Sequence, residues 1–478
     1  MIYQSIHSQF VRILVGKLTL LSVALFTAGV VACPAANAKP NILLIYVDDL
    51  GYGDLGSYGH PVIQTPNLDK LANEGLKLTN YYAPSALCSP SRAALLTGRT
   101  PYRSGIKSWI PENSGIYLRE EEITLAEILK TRGYVTALVG KWHLNSNLAD
   151  KEETQPADHG FDYAYGHNAF QIPTNRNPTN IFRNGEALGV QEGYTAELYA
   201  DEAIRWLRQQ KSGAPFFMLL SMAEPHSQFE NPPEYNSMYQ QYTRGEIIPI
   251  YDLEGIPKDK LIPRGPGEYY ANITYMDAQL GRVLDELDLQ GLTDDTIIVF
   301  ASDNGPVTSA WRTWWEVNAY GSTGGLRGRK HYLYEGGIKV PAIIKYPRLI
   351  DAGSVSDQAV TGMDLFVTLA GLAGADVPGD RPIDGVNIEA VFRGEQLKSR
   401  VMFWAIPTDT DIEFVIRKNN WKLFIDRHHE PVELYNLADD PLEFFNVMRQ
   451  EKAVSKDLMG LFTDMIRSID EDPVRPAL

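Results

Sequence analysis

Four short apolar runs along the chain are each followed closely by polar or charged residues. Runs of strand length that are apolar throughout are typical of strands buried on both faces of a parallel sheet. In open α/β sheets, ligands bind beyond the carboxyl ends of the strands, which is where these polar residues fall. The pattern predicts an α/β fold with its functional site at these strand ends, and the four strands are predicted at 42–47, 134–139, 216–220 and 296–300.

Between these strands, apolar residues recur at helical spacing. One helix has a capping-box pattern at its start, formed by Thr124 and Glu127, and Gly133 is placed to end it. Helices are predicted at 65–75, 125–132, 195–211, 268–289, 364–372 and 455–469, and further extended segments at 76–82 and 342–345. Two stretches without periodicity, 150–194 and 228–266, are predicted to be long surface loops.

Beyond about residue 395 the pattern changes to short aromatic and β-branched runs, which predict a small antiparallel sheet. We therefore expect a main α/β domain at 39–395 and a C-terminal subdomain at 396–478.

The N-terminal segment 1–38 resembles an export signal. Arg12 and Lys17 precede the apolar run 18–32, and small residues up to Ala38 suit cleavage. The apolar run is too short to span a bilayer comfortably. The residues up to Cys33 also resemble a bacterial lipobox, so a lipid anchor at Cys33 is the alternative to cleavage after Ala38. Either way the protein is predicted to be exported, to the periplasm or the medium.

The 478 residues carry a formal net charge of −16, which makes nucleic acid an unlikely partner. The two cysteines, Cys33 and Cys88, cannot form a disulfide framework if the first is removed or lipidated. A single thiol in an exported protein is a candidate functional group. Oligomeric state stays open.

Oxygen-bearing side chains follow two of the predicted strands: Asp48 and Asp49 after the first, Asp303 and Asn304 after the fourth. Hard oxygen ligands suit Ca²⁺ or Mg²⁺, whereas Zn²⁺ prefers histidine and cysteine. The alternative for the first pair is a solvated turn, because Gly51 and its neighbours follow.

The stretch 88–99 has the features of a helix start. Ser89 can cap it, Pro90 suits its first position, and Gly98 can end it in a left-handed conformation. Cys88 would then face the positive end of the helix, where Arg92 adds a charge that favours an anion. The alternative is a buried thiol with no chemical role.

This stretch resembles the signature of the type I sulfatases, Cys-x-Pro-Ser-Arg followed by Thr-Gly-Arg. The resemblance implies that Cys88 is oxidised after synthesis to formylglycine, whose hydrated aldehyde attacks sulfate esters, and that a maturation enzyme is a partner. It also implies an alkaline phosphatase-like fold with a large mixed sheet, no organic cofactor and one divalent cation. That cation is usually Ca²⁺, with Mg²⁺ less favoured, and its ligands would be Asp48, Asp49, Asp303, Asn304 and the modified Cys88.

Further catalytic residues follow from the same resemblance. Lys141 and His143 match Gly-Lys-Trp-His, where the lysine holds the formylglycine or the sulfate and the histidine acts on a formylglycine hydroxyl. His226 matches the histidine that protonates the leaving alcohol, although Ser227-Gln228 departs from the usual continuation. Lys330 matches the family's later lysine, but Arg329 stands where relatives have glycine.

The pattern at 48–56 is most similar to the arylsulfatase A and N-acetylgalactosamine sulfatase branch. A sulfated polysaccharide of the carrageenan or glycosaminoglycan type is the substrate that this resemblance favours. Candidate substrate contacts are His167, Trp311, Trp314, Arg327 and Arg329. Two alternatives stay open: a phosphomonoester or phosphonate hydrolase on the same scaffold, and a non-catalytic glycan-binding relative.

Overall fold

A computed structural model of the protein describes residues 39–210, 213–226, 229–242, 266–307, 320–407 and 411–474. The predicted export signal with Cys33, and the candidate contacts Trp311 and Trp314, lie outside the described residues. Within those residues, no helix combines the length and the apolar character that crossing a bilayer would require.

The described strands fall into three sheets. In chain order they are β1 (Asn41–Val47), β2 (Leu76–Leu78), β3 (Tyr81–Tyr82), β4 (Val135–Gly140), β5 (Tyr163–Gly166), β6 (Phe182–Arg183), β7 (Glu186–Ala187), β8 (Phe216–Ser221), β9 (Thr296–Ser302), β10 (Ala342–Lys345), β11 (Ser354–Ser356), β12 (Val360–Thr361), β13 (Val401–Ala405), β14 (Ile412–Lys418), β15 (Trp421–Asp426) and β16 (Pro431–Asn436).

The described helices, in chain order, are α1 (Pro66–Glu74), α2 (Cys88–Thr97), α3 (Pro101–Ser104), α4 (Leu125–Lys130), α5 (Thr195–Gln209), α6 (Pro233–Met238), α7 (Pro266–Leu289), α8 (Glu335–Ile338), α9 (Gly362–Leu372), α10 (Glu389–Phe392) and α11 (Lys452–Asp470). The predicted capping box is confirmed, because Thr124 and Glu127 exchange side-chain and backbone hydrogen bonds at the start of α4.

The large sheet has ten strands in the order β11-β2-β10-β9-β1-β8-β4-β5-β6-β7. Its central strands β9, β1, β8, β4 and β5 are parallel, whereas β10 runs antiparallel to β9. Along β1, Ile42 and Leu44 face one hydrophobic core, and Leu43 and Ile45 face another. This alternation buries both faces of the sheet, with α2, α4 and α9 on one side and α1, α5 and α7 on the other. The predicted mixed sheet flanked by helices is confirmed.

The C-terminal strands β13 to β16 form a four-stranded antiparallel sheet, as predicted. On one face Phe403 and Phe414 pack against α11, where they contact Phe462. On the other face the indole of Trp404 donates a hydrogen bond to the carbonyl of Ala83, at 2.9 Å. The small sheet is thus buried between α11 and the segments before α2.

Arginines after α2 bind the end of α11. The side chain of Arg99 contacts Glu122 at 3.0 Å and Asp472 at 3.2 Å, and Arg103 reaches the same Asp472 at 3.1 Å. All four side chains are buried. Arg99 of the sulfatase-like signature therefore connects the end of α2 to the end of α11.

Two expectations for the fold were wrong. The stretch 150–194 is more than a surface loop, because its β5 extends the main sheet parallel to β4. The segment 76–82 is two strands in different sheets, β2 and β3, separated by a turn.

Candidate active site

The parallel strands bring the predicted site residues to one edge of the sheet. Asp48 and Asp303 follow β1 and β9, and the backbone N–H of Asp303 donates to the carbonyl of Val47 at 3.0 Å. The N–H of Lys141, after β4, donates to Ser221 at the end of β8, at 2.8 Å. Residues far apart in sequence thus converge because their strands end in register.

Cys88 is the first residue of α2, two positions earlier than predicted. Leu87 precedes the helix in an extended conformation, and the Ser89 hydroxyl accepts from the N–H of Ile110 at 3.1 Å instead of capping it. Gly98 ends the helix in the left-handed region with φ 68°, as predicted. The thiol of Cys88 is buried, with its Sγ 3.3 Å from Asp48 Oδ1.

Three carboxylates around Cys88 are each paired with one cation. Lys141 Nζ lies 2.5 Å from Asp48 Oδ2. Lys330 Nζ lies 2.6 Å from Asp49 Oδ1 and 3.1 Å from Cys88 Sγ.

The third pair is Arg92 with Asp303 Oδ2, where Nη2 donates at 2.8 Å and Nε at 3.1 Å. Arg92 also donates to the Ser221 hydroxyl at 2.5 Å. Ser221 had no signal in the sequence, since it is a small residue at the end of an apolar strand. The structure thus brings all three predicted cations to the thiol.

The acidic residues of the site fit a divalent cation. Potential ligand atoms of Asp48, Asp49, Cys88 and Asp303 all lie within 4.8 Å of one another. Two buried oxygens nearby, Asp49 Oδ2 and Asn304 Oδ1, have no hydrogen-bond partner among the described residues. Buried oxygens without partners are costly, and a cation would satisfy them. An oxygen-dominated ligand set suits Ca²⁺ or Mg²⁺.

The two candidate catalytic histidines differ in environment. His143 is buried, and its Nε2 lies 3.1 Å from the carbonyl oxygen of Ile110. Burial, and then the positive charges of Lys141 and Arg92, hold the pKa of His143 well below its usual value. The neutral ring donates through Nε2, so Nδ1, which has no partner among the described residues, keeps a free lone pair.

His226 is more open, with 24% of its side chain exposed, and its Nε2 lies 3.6 Å from Asp49 Oδ2. Burial lowers its pKa, against the opposing effect of Asp48 and Asp49. His226 therefore faces the site from the more accessible side, and His143 faces it from within.

Two of the predicted substrate contacts, His167 and Arg327, are held by contacts within the protein. His167 is fully buried, hydrogen-bonded through Nδ1 to the hydroxyl of Tyr199 and stacked on that ring, so its ring offers no sugar platform. Arg327 lies 3.8 Å from the ring centre of Tyr334 and donates to the Tyr435 hydroxyl at 2.9 Å. It anchors the loop before α8 to the C-terminal sheet. Arg329, in contrast, is half-buried, with its Nη1 3.2 Å from the Val307 carbonyl oxygen.

A buried ion cluster formed by Lys422, Glu335 and Glu443 was not predicted from the sequence. Lys422 Nζ lies 2.9 Å from Glu335 Oε1 and 2.8 Å from Glu443 Oε1. Glu443 also accepts from the backbone N–H of Glu335, at 2.8 Å. Because Glu335 ends the loop that carries Lys330, the C-terminal sheet supports that loop directly.

Comparisons with known proteins agree with this geometry. The sulfatase family model matches residues 40–375, and the model described as N-sulphoglucosamine sulphohydrolase, C-terminal, matches 328–468. The chain is similar to human steryl-sulfatase, with 35% identity over 76% of this chain and 71% of that one. It is also similar to arylsulfatase A of Bos taurus, with 32% identity over 88% of this chain and 86% of that one.

Among solved structures, the crystal structure of Ps i-CgsB in complex with k-i-k-neocarrahexaose superposes with a TM-score of 0.76. It shares 27% identity, and the match covers 90% of this chain and 93% of that chain. The buried Cys88, the three ion pairs around it and these similarities lead to one conclusion: the chain belongs to the sulfatase family and is a sulfuric ester hydrolase.

Proposed function

We propose that this protein removes sulfate from a sulfated saccharide, using a formylglycine made from Cys88 and one bound Ca²⁺. The observation that carries the proposal is the position of Cys88 Sγ, 3.1 Å from Lys330 Nζ and 3.3 Å from Asp48 Oδ1. A nucleophile at this point is close to both a cation and a candidate metal ligand. The saccharide is favoured because a structural neighbour was solved with a neocarrahexaose.

The unmodified thiol is a poor candidate for the nucleophile. Burial, and then the charge of Asp48, raise the pKa of Cys88, so the thiol is neutral at physiological pH. Thiolates, and not thiols, are the reactive form of cysteine. The hydrate of formylglycine instead supplies one hydroxyl to attack sulfur and a second whose deprotonation lets the sulfate leave.

The chain's cations would hold the sulfate and balance its charge. Lys141, Lys330 and Arg92 are buried and fixed by carboxylates, so they need no rearrangement as negative charge grows on the sulfate oxygens. The metal, held by Asp48, Asp49, Asp303 and Asn304, would add Lewis acidity at the same oxygens.

The two histidines would move the protons. His226, on the accessible side, would act in its protonated form, which the nearby Asp49 favours, and would give that proton to the departing alcohol oxygen. His143 has a free Nδ1 lone pair and a neutral ring, which suits the removal of a proton from the second hydroxyl. Each histidine then serves a different half of the reaction.

We also propose that the protein works outside the cytoplasm. The support is the export signal in residues 1–38, with cleavage after Ala38 favoured over a lipid anchor at Cys33.

The test is a peptide mass spectrum of Cys88 from the native host, together with sulfate release. We expect the peptide to lose one sulfur and two hydrogens and to gain one oxygen, and the protein to release sulfate from 4-nitrophenyl sulfate and carrageenan oligosaccharides. The Cys88→Ala variant serves as the inactive control. Full activity with an unmodified thiol would contradict the formylglycine assignment. Faster cleavage of a phenyl phosphonate ester than of any sulfate ester would favour the phosphonate hydrolase alternative.

A further inference from the structure

The charges in direct contact around Cys88 balance one another. Asp48, Asp49 and Asp303 are paired with Lys141, Lys330 and Arg92, respectively. The residue next to Lys330, Arg329, adds one more cation at the edge of this group. No carboxylate of the described residues forms an ion pair with it, and its hydrogen bond goes to the Val307 carbonyl, which is neutral.

The acid that acts on Arg329 electrostatically is already engaged elsewhere. Asp54 Oδ1 accepts from the N–H of Ser322 at 2.7 Å, and Oδ2 accepts from Gly51 N–H at 2.7 Å and from the Tyr269 hydroxyl at 2.6 Å. Burial raises the pKa of Asp54 to about 7, against the hydrogen bonds from Tyr269, Ser322 and Gly51, which lower it. Asp54 thus organises its own loop and forms no direct ion pair with the guanidinium of Arg329.

Arg329 carries a positive charge although its side chain is half-buried. Burial works against that charge, because it lowers the pKa of the guanidinium. A cation that is partly removed from water without a counter-ion is unfavourable, and a bound anion would offset that cost. Arg327, two residues earlier, shows the contrast: its guanidinium donates to Tyr435, Tyr334 and the carbonyl of Glu443. Among the described residues, Arg327 has three hydrogen-bond partners that account for its position, whereas Arg329 donates only to the carbonyl of Val307.

The backbone around Arg329 is tied to the segment that follows the candidate metal ligands. The N–H of Lys330 donates to the carbonyl of Pro306 at 3.0 Å, and the Arg329 side chain reaches Val307. The segment 306–307 follows the candidate metal ligands Asp303 and Asn304 after one intervening residue, Gly305. The guanidinium therefore contacts the segment after the candidate metal ligands, and its residue adjoins in the chain the lysine that contacts Cys88.

We propose that Arg329 binds a second anionic group of the substrate, either a sulfate or a carboxylate. This group lies on the sugar that carries the scissile ester or on the adjoining one. The substrate class is then a saccharide with at least two anionic groups, an inference that rests on the proposed function. A guanidinium suits this task because its planar donors match carboxylate and sulfate oxygens in pairs, which an ammonium group cannot reproduce.

The test compares Arg329→Met and Arg329→Lys with wild type on matched saccharides. Probes are κ-neocarrabiose with one sulfate, ι-neocarrabiose with two, and the chondroitin 4-sulfate disaccharide with one sulfate and one carboxylate. We expect Arg329→Met to lower kcat/KM about 10- to 100-fold for the probe with the recognised second anion, mainly through KM. Arg329→Lys should recover part of the loss. Selective loss on ι-neocarrabiose identifies a sulfate subsite, and selective loss on the chondroitin disaccharide identifies a carboxylate subsite.

Two controls separate recognition from general damage. Arg467→Met removes the same charge from the exposed face of α11 and should leave every rate unchanged. Hydrolysis of 4-nitrophenyl sulfate, which has no second anion, should fall less in Arg329→Met than hydrolysis of the probe with the recognised second anion. Equal losses on one-anion and two-anion substrates would overturn the inference and leave the proposed function intact.

Measuring the binding of the saccharide probes tests the anion subsite independently of catalysis. If wild type releases sulfate from no ester, the proposed function fails, and calorimetry on Cys88→Ala with and without Arg329→Met still tests the subsite. We expect tighter binding of a two-anion probe than of κ-neocarrabiose, and loss of that difference in the double variant. Equal affinity for all three probes in the Cys88→Ala protein would overturn the inference.

Discussion

Replacement of Lys422 by methionine tests whether the buried ion cluster secures the loop of Lys330. Methionine keeps the length of the side chain but removes the cation between Glu335 and Glu443, which lie 2.9 and 2.8 Å from Nζ. Removing one partner from a buried ion pair costs about 3–5 kcal/mol, because the remaining charge is left without compensation. We expect the free energy of unfolding to fall by that amount at neutral to alkaline pH.

The loss should depend on pH with a definite sign. In the wild type, burial raises the pKa of Glu443 to about 7, whereas Lys422 and Arg417 outweigh burial and lower that of Glu335 to about 2. Without Lys422 both pKa values rise. A carboxyl whose pKa is higher in the folded than in the unfolded protein binds its proton more tightly in the folded state. Its contribution to stability is therefore fully present below its unfolded-state pKa and is lost as pH rises through its folded-state pKa. The destabilisation should therefore be about 1–2 kcal/mol smaller at about pH 5.5 than at about pH 8.

Urea unfolding followed by tryptophan fluorescence at the two pH values measures this difference. Lys418→Met, on the exposed side of β14, is the matched control and should shift stability by less than about 0.5 kcal/mol. A loss below about 1 kcal/mol, or the same loss at both pH values, would refute the reasoning. Hydrolysis of 4-nitrophenyl sulfate by the folded variant should also fall, because Lys330 loses the support of its loop.

Two further predictions concern the chemistry. His226→Ala should slow hydrolysis of sugar sulfates about 10²- to 10⁴-fold but that of 4-nitrophenyl sulfate far less, because 4-nitrophenolate leaves without a proton. The exposed His428→Ala is its control, and equal losses on both esters would remove His226 from the role of acid. Chelation should reduce sulfate release at least about 100-fold, with recovery on addition of Ca²⁺, and Asp303→Asn should weaken Ca²⁺ binding measured by calorimetry. A preparation shown by elemental analysis to be metal-free and yet fully active would contradict the metal site.

The features that the sequence predicted well are those set by local patterns. Continuous apolar runs predicted the central strands. The capping box at Thr124 could be predicted because it depends only on two residues three positions apart. The convergence of Asp48, Lys141 and Asp303 followed from one rule about strand ends, once the strands were identified. The predicted catalytic roles of individual residues came instead from the resemblance to sulfatases.

The features that were missed depend on distant partners. Tyr163–Gly166 becomes a strand because β4 offers it an open edge, and its own four residues have little strand pattern. Helix α2 starts earlier than predicted because the Ser89 hydroxyl accepts a hydrogen bond from Ile110 and does not cap the helix. Lys422 and Glu335 are 87 residues apart, so nothing local distinguishes either from an ordinary surface charge.

Arg99 and Arg103, which form ion pairs with Asp472 after α11, have a consequence for the order of events during protein synthesis. Arg99 lies 373 residues before its partner Asp472, so the helix that begins at Cys88 lacks this anchor until nearly all of the described chain has been made. In the finished fold the thiol is only 3% exposed. An enzyme that oxidises Cys88 would therefore have to reach it on the growing or still unfolded chain. Maturation and folding would compete for the same thiol, and faster folding would leave more of the protein permanently inactive.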